Sequence, residues 1–204
     1  MKNTIVVMSS NREVERATQE TVKNLSNAGA IRLMETGSSD VAFARCRALS
    51  FACEQLRKST DRNIILMLDD DMEVPLETAQ LLADKARELE RPCSACYATM
   101  TAKLAAARWM QRPGSWLVGL GCLAIPRELL LALEERSEKF EFSGRSYAAF
   151  TWSGPEGGEW IAEDFRLSMN LGGVHLVPVG VGHVKKGSIW PDTETLRKLS
   201  EPLY

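Results

Sequence analysis

Asn63-Ile-Ile-Leu-Met-Leu68 runs directly into Asp69-Asp70-Asp71. An apolar run of this length predicts a strand buried on both faces. Three adjacent carboxylates repel one another and need a cation or solvent to compensate them. Hard oxygen ligands suit Mn2+ or Mg2+, which bridge onward to phosphate oxygens. Side chains at i and i+2 of an extended segment share a side. Asp69 and Asp71 are therefore expected to face one site, with Asp70 turned away. The plainer alternative is a solvated acidic turn that closes a strand.

The segments before this run alternate. Residues 4–8 read as a short buried strand. Ser10-Asn11-Arg12-Glu13 has capping-box spacing and predicts a helix start, with Val14, Ala17, Thr21 and Leu25 on one face and Gly29 at the end. A second strand is expected at 31–34. Asp40 is placed to cap a helix over 41–58, and Pro75 opens another that runs to 89. The order β-α-β-α-β predicts an α/β domain with a mainly parallel central sheet flanked by helices. Ligands of such sheets sit at the carboxyl ends of the strands, where the acidic triplet falls.

The second half reads less regularly. Strands are expected at 93–99 and 116–123, and a helix over 127–138 begins just after Pro126. Residues 140–158 lack clean periodicity and carry Gly144, Gly154, Gly157 and Gly158, which predicts a long loop of the lid type. A helix over 161–171 follows, then short strands at 175–177 and near Val181. The last twenty residues read as peripheral.

The 204 residues suit one domain, and 45% hydrophobic content is enough for a core. A net charge of −2 excludes a strongly basic nucleic-acid binder. No stretch nears the roughly 18 apolar residues of a membrane span, and the N-terminal apolar stretch is too short for a signal peptide. Five scattered cysteines suit reduced thiols. A soluble, cytoplasmic protein is expected.

Other residues are candidates for chemistry. His183 lies in Val-Gly-Val-Gly-His-Val and can complete a Mn2+ site, whereas His175 in an apolar strand reads as structural. Glu163 and Asp164 open a helix, either as ordinary complements of its dipole or as a catalytic acid pair with a general base at the site's rim. Gly119-Leu120-Gly121-Cys122-Leu123-Ala124 fits a dinucleotide pattern in the wrong place, far from the first strand. Its glycines are expected to let a substrate approach the backbone. Cys93-Ser-Ala-Cys96 lacks the second pair a zinc site needs and reads as two buried thiols.

Taken in order, these pieces resemble the GT-A glycosyltransferases, in particular the small family 2-like and phage-type enzymes. The resembling segments are residues 4–8 with Ser9-Ser10-Asn11-Arg12, Asp40–Arg45 with Cys46 where the family carries Asn, and Ile64–Met72 with its D-x-D. Gly119–Cys122 with Ile125-Pro126-Arg127-Glu128, Glu163-Asp164-Phe165 and Gly182-His183 complete the set. The resemblance implies a nucleotide-sugar half at 1–90, an acceptor and catalytic half at 91–185, and a tail at 186–204. It implies a nucleoside diphosphate sugar donor held by Ser9, Arg12, Asp40, Arg45, Asp69, Asp70, Gly119, Leu120 and Gly121. Mn2+ or Mg2+ would be held by Asp71, Asp69 and His183. Asp164, with Glu163, would serve as base for an inverting transfer. In the glycine-rich lid and just after it, Trp152 and Trp160 are expected to cover the sugar and exclude water. The acceptor is expected to be a saccharide or a hydroxymethylated DNA base, the latter met by Lys103, Arg108, Arg112, Arg127, Arg145, Lys185 and Lys186. A phage-encoded enzyme would act in the host cytoplasm. Two other classes fit the acids: a nucleotidyltransferase, and a non-catalytic nucleotide-sugar-binding module.

Overall fold

The structure is a computed structural model. It describes residues 1–10, 13–36, 40–61, 63–98, 106–108, 112, 114–184, 188–189, 191 and 193–200. The first half alternates as expected: β1 (Thr4–Ser10), α1 (Arg16–Asn27), β2 (Ile31–Thr36), α2 (Val41–Lys58), β3 (Ile64–Leu68), β4 (Met72–Glu73) and α3 (Leu76–Leu89). The second half holds β5 (Cys93–Cys96), β6 (Ala106–Arg108), β7 (Trp116–Val118), β8 (Cys122–Pro126), α4 (Arg127–Arg136), β9 (Lys139–Phe142), β10 (Arg145–Ala148), β11 (Gly154–Glu156) and β12 (Glu159–Ile161). After them come α5 (Glu163–Asn170), β13 (His175–Gly180), β14 (Gly182–Val184), β15 (Ser188–Ile189) and α6 (Thr193–Ser200).

Six strands form the central sheet in the order β13-β5-β8-β3-β1-β2. Only β8 runs against the rest, so the sheet is mainly parallel and the fold is a Rossmann-like α/β layer structure. Strand alternation builds a core on each face. Ile5, Val7, Ile65 and Met67 pack with Leu49, Cys53 and Leu56 of α2 and Leu130 of α4. Val6, Ile64, Leu66 and Leu68 pack with Val22 and Leu25 of α1 and Leu82 and Ala86 of α3. From β1 the chain passes to β2 on one side, then returns through α2 to β3 on the other. The carboxyl ends of β1 and β3 thus bound a topological switch point, where such sheets open a crevice.

Several expectations are corrected. Ser10 caps no helix: it is the last residue of β1, and α1 starts at Arg16. The single strand at 116–123 is two strands, β7 and β8, broken at Gly119–Gly121. The loop at 140–158 is largely two hairpins, β9–β10 and β11–β12. Ser143 and Gly144 turn the first with φ of 50° and 71°, and Gly157 and Gly158 turn the second with φ of 61° and 87°. Consecutive positive φ angles make the tight two-residue turn that matches strand twist. The tail is not merely peripheral: α6 lies on β13, with Leu196 and Pro191 against Gly180. Among the described residues no helix is long and apolar enough to cross a membrane.

Candidate functional site

The three acids at the end of β3 go to three different partners. Asp69 faces Arg45, Asp70 faces Ser10 and Asp71 faces His183. The turn through residues 70–71, immediately before β4, separates them. Asp69 and Asp71, expected to face one site, take different partners, Arg45 and His183.

Arg45, one turn into α2, is buried and makes two ion pairs. Its Nη2 donates to Asp69 Oδ1 at 2.8 Å, and its Nη1 donates to Glu163 Oε1 at 2.7 Å. Burial works against the guanidinium's charge, yet Asp69 and Glu163, with Asp164 adding to them, outweigh it and raise its pKa. The fork of Arg45 thus ties the end of β3 to the start of α5. Ser153 fastens the same acid from the other side, its hydroxyl donating to Glu163 Oε2 at 3.1 Å.

Asp164 stands beside this cluster. Its Oδ1 accepts the Phe165 N–H at 2.7 Å. Burial, then the charge of Glu163, push its carboxyl pKa above the ordinary range, with Arg45 and the Phe165 N–H pulling the other way. A carboxylate of raised pKa is a stronger base than a solvated one.

His183 arrives from β14, which pairs with β4 so that His183 lies opposite Met72. Its Nδ1 is 3.1 Å from the carbonyl oxygen of Ala98, and its Nε2 is 3.3 Å from Asp71 Oδ2. A carbonyl only accepts, so Nδ1 carries the ring's proton and donates it. In the neutral imidazole the Nε2 lone pair then faces a carboxylate oxygen. Two acceptors at that distance are stable only with a cation or proton between them. Two ligands at about 2.1 Å from one octahedral ion lie roughly 3 Å apart, so the pair suits a divalent metal. Among the described residues no three His, Cys, Asp or Glu side chains converge to hold a metal by themselves. The remaining positions would fall to water and phosphate oxygens, as is usual for Mg2+.

Tyr97, just past β5, was not legible as a site residue. Its ring packs edge-on against His183 at 5.6 Å between centroids. Burial, with the charges of Asp69 and Asp164, raises its hydroxyl pKa far above the usual value and keeps it neutral. Tyr97 joins the Asp71–His183 pair to the Arg45 cluster.

The other expected residues fall as follows. Ser9 sits half-buried at the end of β1, and Asp40 caps α2 by accepting the Phe43 N–H at 2.8 Å. Both lie on the same edge as the acids. Arg12 lies outside the described residues. Gly119, Leu120 and Gly121 are all buried. A Cβ on Gly121 would stand 2.8 Å from Tyr97 Cε1 and 2.9 Å from Met72 Sδ, so packing requires that glycine. Cys93 and Cys96 point into opposite core layers and are free thiols.

Of the cations considered for DNA, Lys103, Lys185, Lys186 and the Arg108 side chain lie outside the described residues. Arg127 is at the wrong end of the sheet: its N–H donates to Asn63, which precedes β3, whereas Asp69 follows it. Arg145 lies over the Phe51 ring, and Arg112 packs against Gly172.

No sequence-family model matches the chain, and no curated protein matches it. Solved structures do match. The chain is similar to the crystal structure of A197 from STIV, with TM-score 0.59 and 18% identity over 90% of this chain and 86% of that one. At that identity the likeness is one of fold. A looser likeness, TM-score 0.40 and 15% identity over 62% and 61% of the chains, is to a glycosyltransferase involved in the glycosylation of the major capsid of PBCV-1. Another, TM-score 0.41 and 11% identity over 97% and 96%, is to the 4-diphosphocytidyl-2C-methyl-D-erythritol synthase of Anaerococcus prevotii.

Proposed function

We propose that the chain is a metal-dependent glycosyltransferase. It moves a sugar from a nucleoside diphosphate sugar to an acceptor hydroxyl, with inversion at the anomeric carbon. The observation that carries this reading is His183 Nε2 standing 3.3 Å from Asp71 Oδ2 beside a cluster of acids at the switch point. Asp71 and His183 would hold Mn2+ or Mg2+. The ion, when bound, stabilises the negative charge that grows on the diphosphate as it leaves.

The chain's own groups do the rest. Ser9, Asp40, Asp69 and Asp70 line the strand ends where the nucleotide would lie. Arg45 holds Glu163 in place and so fixes the start of α5. Asp164 takes the proton of the acceptor hydroxyl as that oxygen bonds to the anomeric carbon and the bond from that carbon to the diphosphate oxygen breaks. A single displacement of this kind inverts the centre. Tyr97 stays neutral beside His183 and adds no charge to the site.

A thermal-shift panel of nucleoside diphosphate sugars, with Mn2+ or with EDTA, tests the reading. An upward shift that needs both donor and metal supports it. Pyrophosphate release from nucleoside triphosphates and a sugar phosphate would make the chain a nucleotidyltransferase instead. No shift with any nucleotide would sink both.

A further inference from the structure

Trp152 is half exposed, 49%, although the chain around it is fastened on both sides. The Thr151 hydroxyl donates to the Glu163 carbonyl, and Ser153 Oγ accepts the Glu163 N–H at 3.1 Å while donating to its carboxylate. The indole itself lies over the Arg166 guanidinium at 5.0 Å. Arg166 is 6% exposed and its guanidinium is paired with Glu156. The cation occupies one side of the ring and fixes its tilt. Glu163 and Arg166 are three residues apart on α5, hence on one face and about 4.5 Å apart along the axis. Thr151 and Ser153, on either side of Trp152, both bond to Glu163, so the indole is carried on the segment fastened to the acid pair.

A rigid, exposed aromatic ring beside a transfer site suits a stacked ligand, because the negative π face attracts the C–H groups of a sugar ring. A nucleobase would also stack. Charge decides between them. The stretch from residue 152 to 166 carries Glu156, Glu159, Glu163 and Asp164 against one cation, Arg166, which is paired with Glu156, and the one other cation on these acids, Arg45, is shared between Glu163 and Asp69. A phosphodiester chain would be repelled here, whereas a neutral ligand would not. The geometry points to Trp152 as the stacking platform for a neutral saccharide acceptor, an inference that rests on the glycosyl-transfer reading.

Trp160, expected from the sequence to cover the sugar with Trp152, lies on the other face of the hairpin ladder and so provides an internal control. It pairs with Pro155 across the β11–β12 ladder, on the opposite face from Gly154 and Glu156. Trp152 stands on the Gly154 face, its Cδ1 3.7 Å from where a Cβ of Gly154 would be. The test probes the full chain on an array of neutral and anionic glycans, with plain and hydroxymethylated DNA alongside. Neutral glycans should be bound, Trp152→Ala should lower that binding tenfold or more, Trp152→Phe should restore part of it, and Trp160→Ala should leave it within twofold. Metal-dependent shifts with nucleotide sugars, read separately, should be the same in all three variants. Binding to no neutral glycan, binding confined to DNA, or equal glycan binding by Trp152→Ala and the wild type overturns the platform. A wild type that binds neutral glycans through Trp152 but no nucleotide sugar overturns the glycosyl-transfer reading and with it the acceptor role.

Discussion

His183 and Asp71 are 112 positions apart in the chain, yet Nε2 and Oδ2 stand 3.3 Å from each other. The backbone makes the meeting. Val184 N–H donates to the Asp71 carbonyl at 2.7 Å, and Val181 N–H donates to the Cys96 carbonyl at 3.0 Å. Tyr97 then fills the space beside the ring. The pair is therefore preformed, and removing one member should leave the other in position.

Metal affinity is the direct check. Asp71→Asn and His183→Ala should each weaken Mn2+ binding about tenfold or more, the usual scale for a lost ligand or its orienting partner. Isothermal titration reads this without a donor or acceptor. Unchanged affinity in His183→Ala would return that residue to a packing role.

Asp70 should behave differently. It is buried, it accepts the Ser10 hydroxyl at 2.6 Å, and its carbonyl accepts the Glu15 N–H at 2.9 Å. Asp70→Asn should lose about 1–2 kcal/mol of stability in urea, because a charge-assisted bond becomes a neutral one. Mn2+ affinity should not change. A parallel loss of both would mean that the three acids act as one cluster.

The strand and helix order of the first half was legible because periodicity and burial agreed there. Ile64–Leu68 is apolar throughout and is buried on both faces. Ser10 has the spacing to Glu13 of a capping box, but pairing with β2 and Asp70 draws the residue into the sheet. The two hairpins do carry a short-range signal. Lys-Phe-Glu-Phe and Arg-Ser-Tyr-Ala flank Ser143-Gly144, and Gly157-Gly158 is a two-residue turn pair. Each strand is only three or four residues long, so the alternation is brief.

The site was legible as a set of residue types and not as an arrangement. The acids, Arg45 and His183 stand out by chemistry. Nothing local shows that Arg45 bridges Asp69 and Glu163, since those contacts span 24 and 118 positions. Tyr97 has no motif at all. Its place follows from the length of β5 and from the bare backbone at Gly121, two features that acquire meaning only once β5 and β8 are paired.

Arg45 should be structural as well as functional. Arg45→Met leaves Asp69 and Glu163 facing each other without their cation. The loss should be about 3 kcal/mol, the lower end for breaking a buried pair, because both carboxylates keep partial exposure. Arg45→Lys should recover only part of it, since an ammonium cannot reach both acids with a planar fork. Chemical denaturation of the two variants provides the comparison. Equal stability of Arg45→Met and the wild type would show that the bridge contributes nothing to folding.

Gly121→Ala should act at a distance on the metal pair. The new methyl would meet Tyr97 and Met72 inside 3 Å, and neither is the free end of an exposed chain. Overpacking of this kind costs about 1–3 kcal/mol. The shift of Tyr97 should also move the His183 ring and weaken Mn2+ binding. Loss of stability with metal affinity intact would separate Tyr97 from the positioning of His183.

Asp164→Asn separates the base from the scaffold. The amide keeps the size and can still accept the Phe165 N–H, but it takes no proton. Turnover should fall by roughly 10²–10⁴ while donor binding survives. Stability should move the other way. Burial raises the carboxyl pKa of the folded protein, so between the ordinary carboxylate value and the raised one the folded state binds more protons than the unfolded state. Stability therefore declines as pH rises through that window, and the full loss is present above it. The amide removes this penalty. Asp164→Asn should melt at a higher temperature than the wild type at pH 7, and the difference should close as pH falls below the ordinary carboxylate range. Melting curves from pH 3 to 8 measure it. A variant less stable than the wild type at pH 7 would make Asp164 a structural acid and leave the proton transfer without its base.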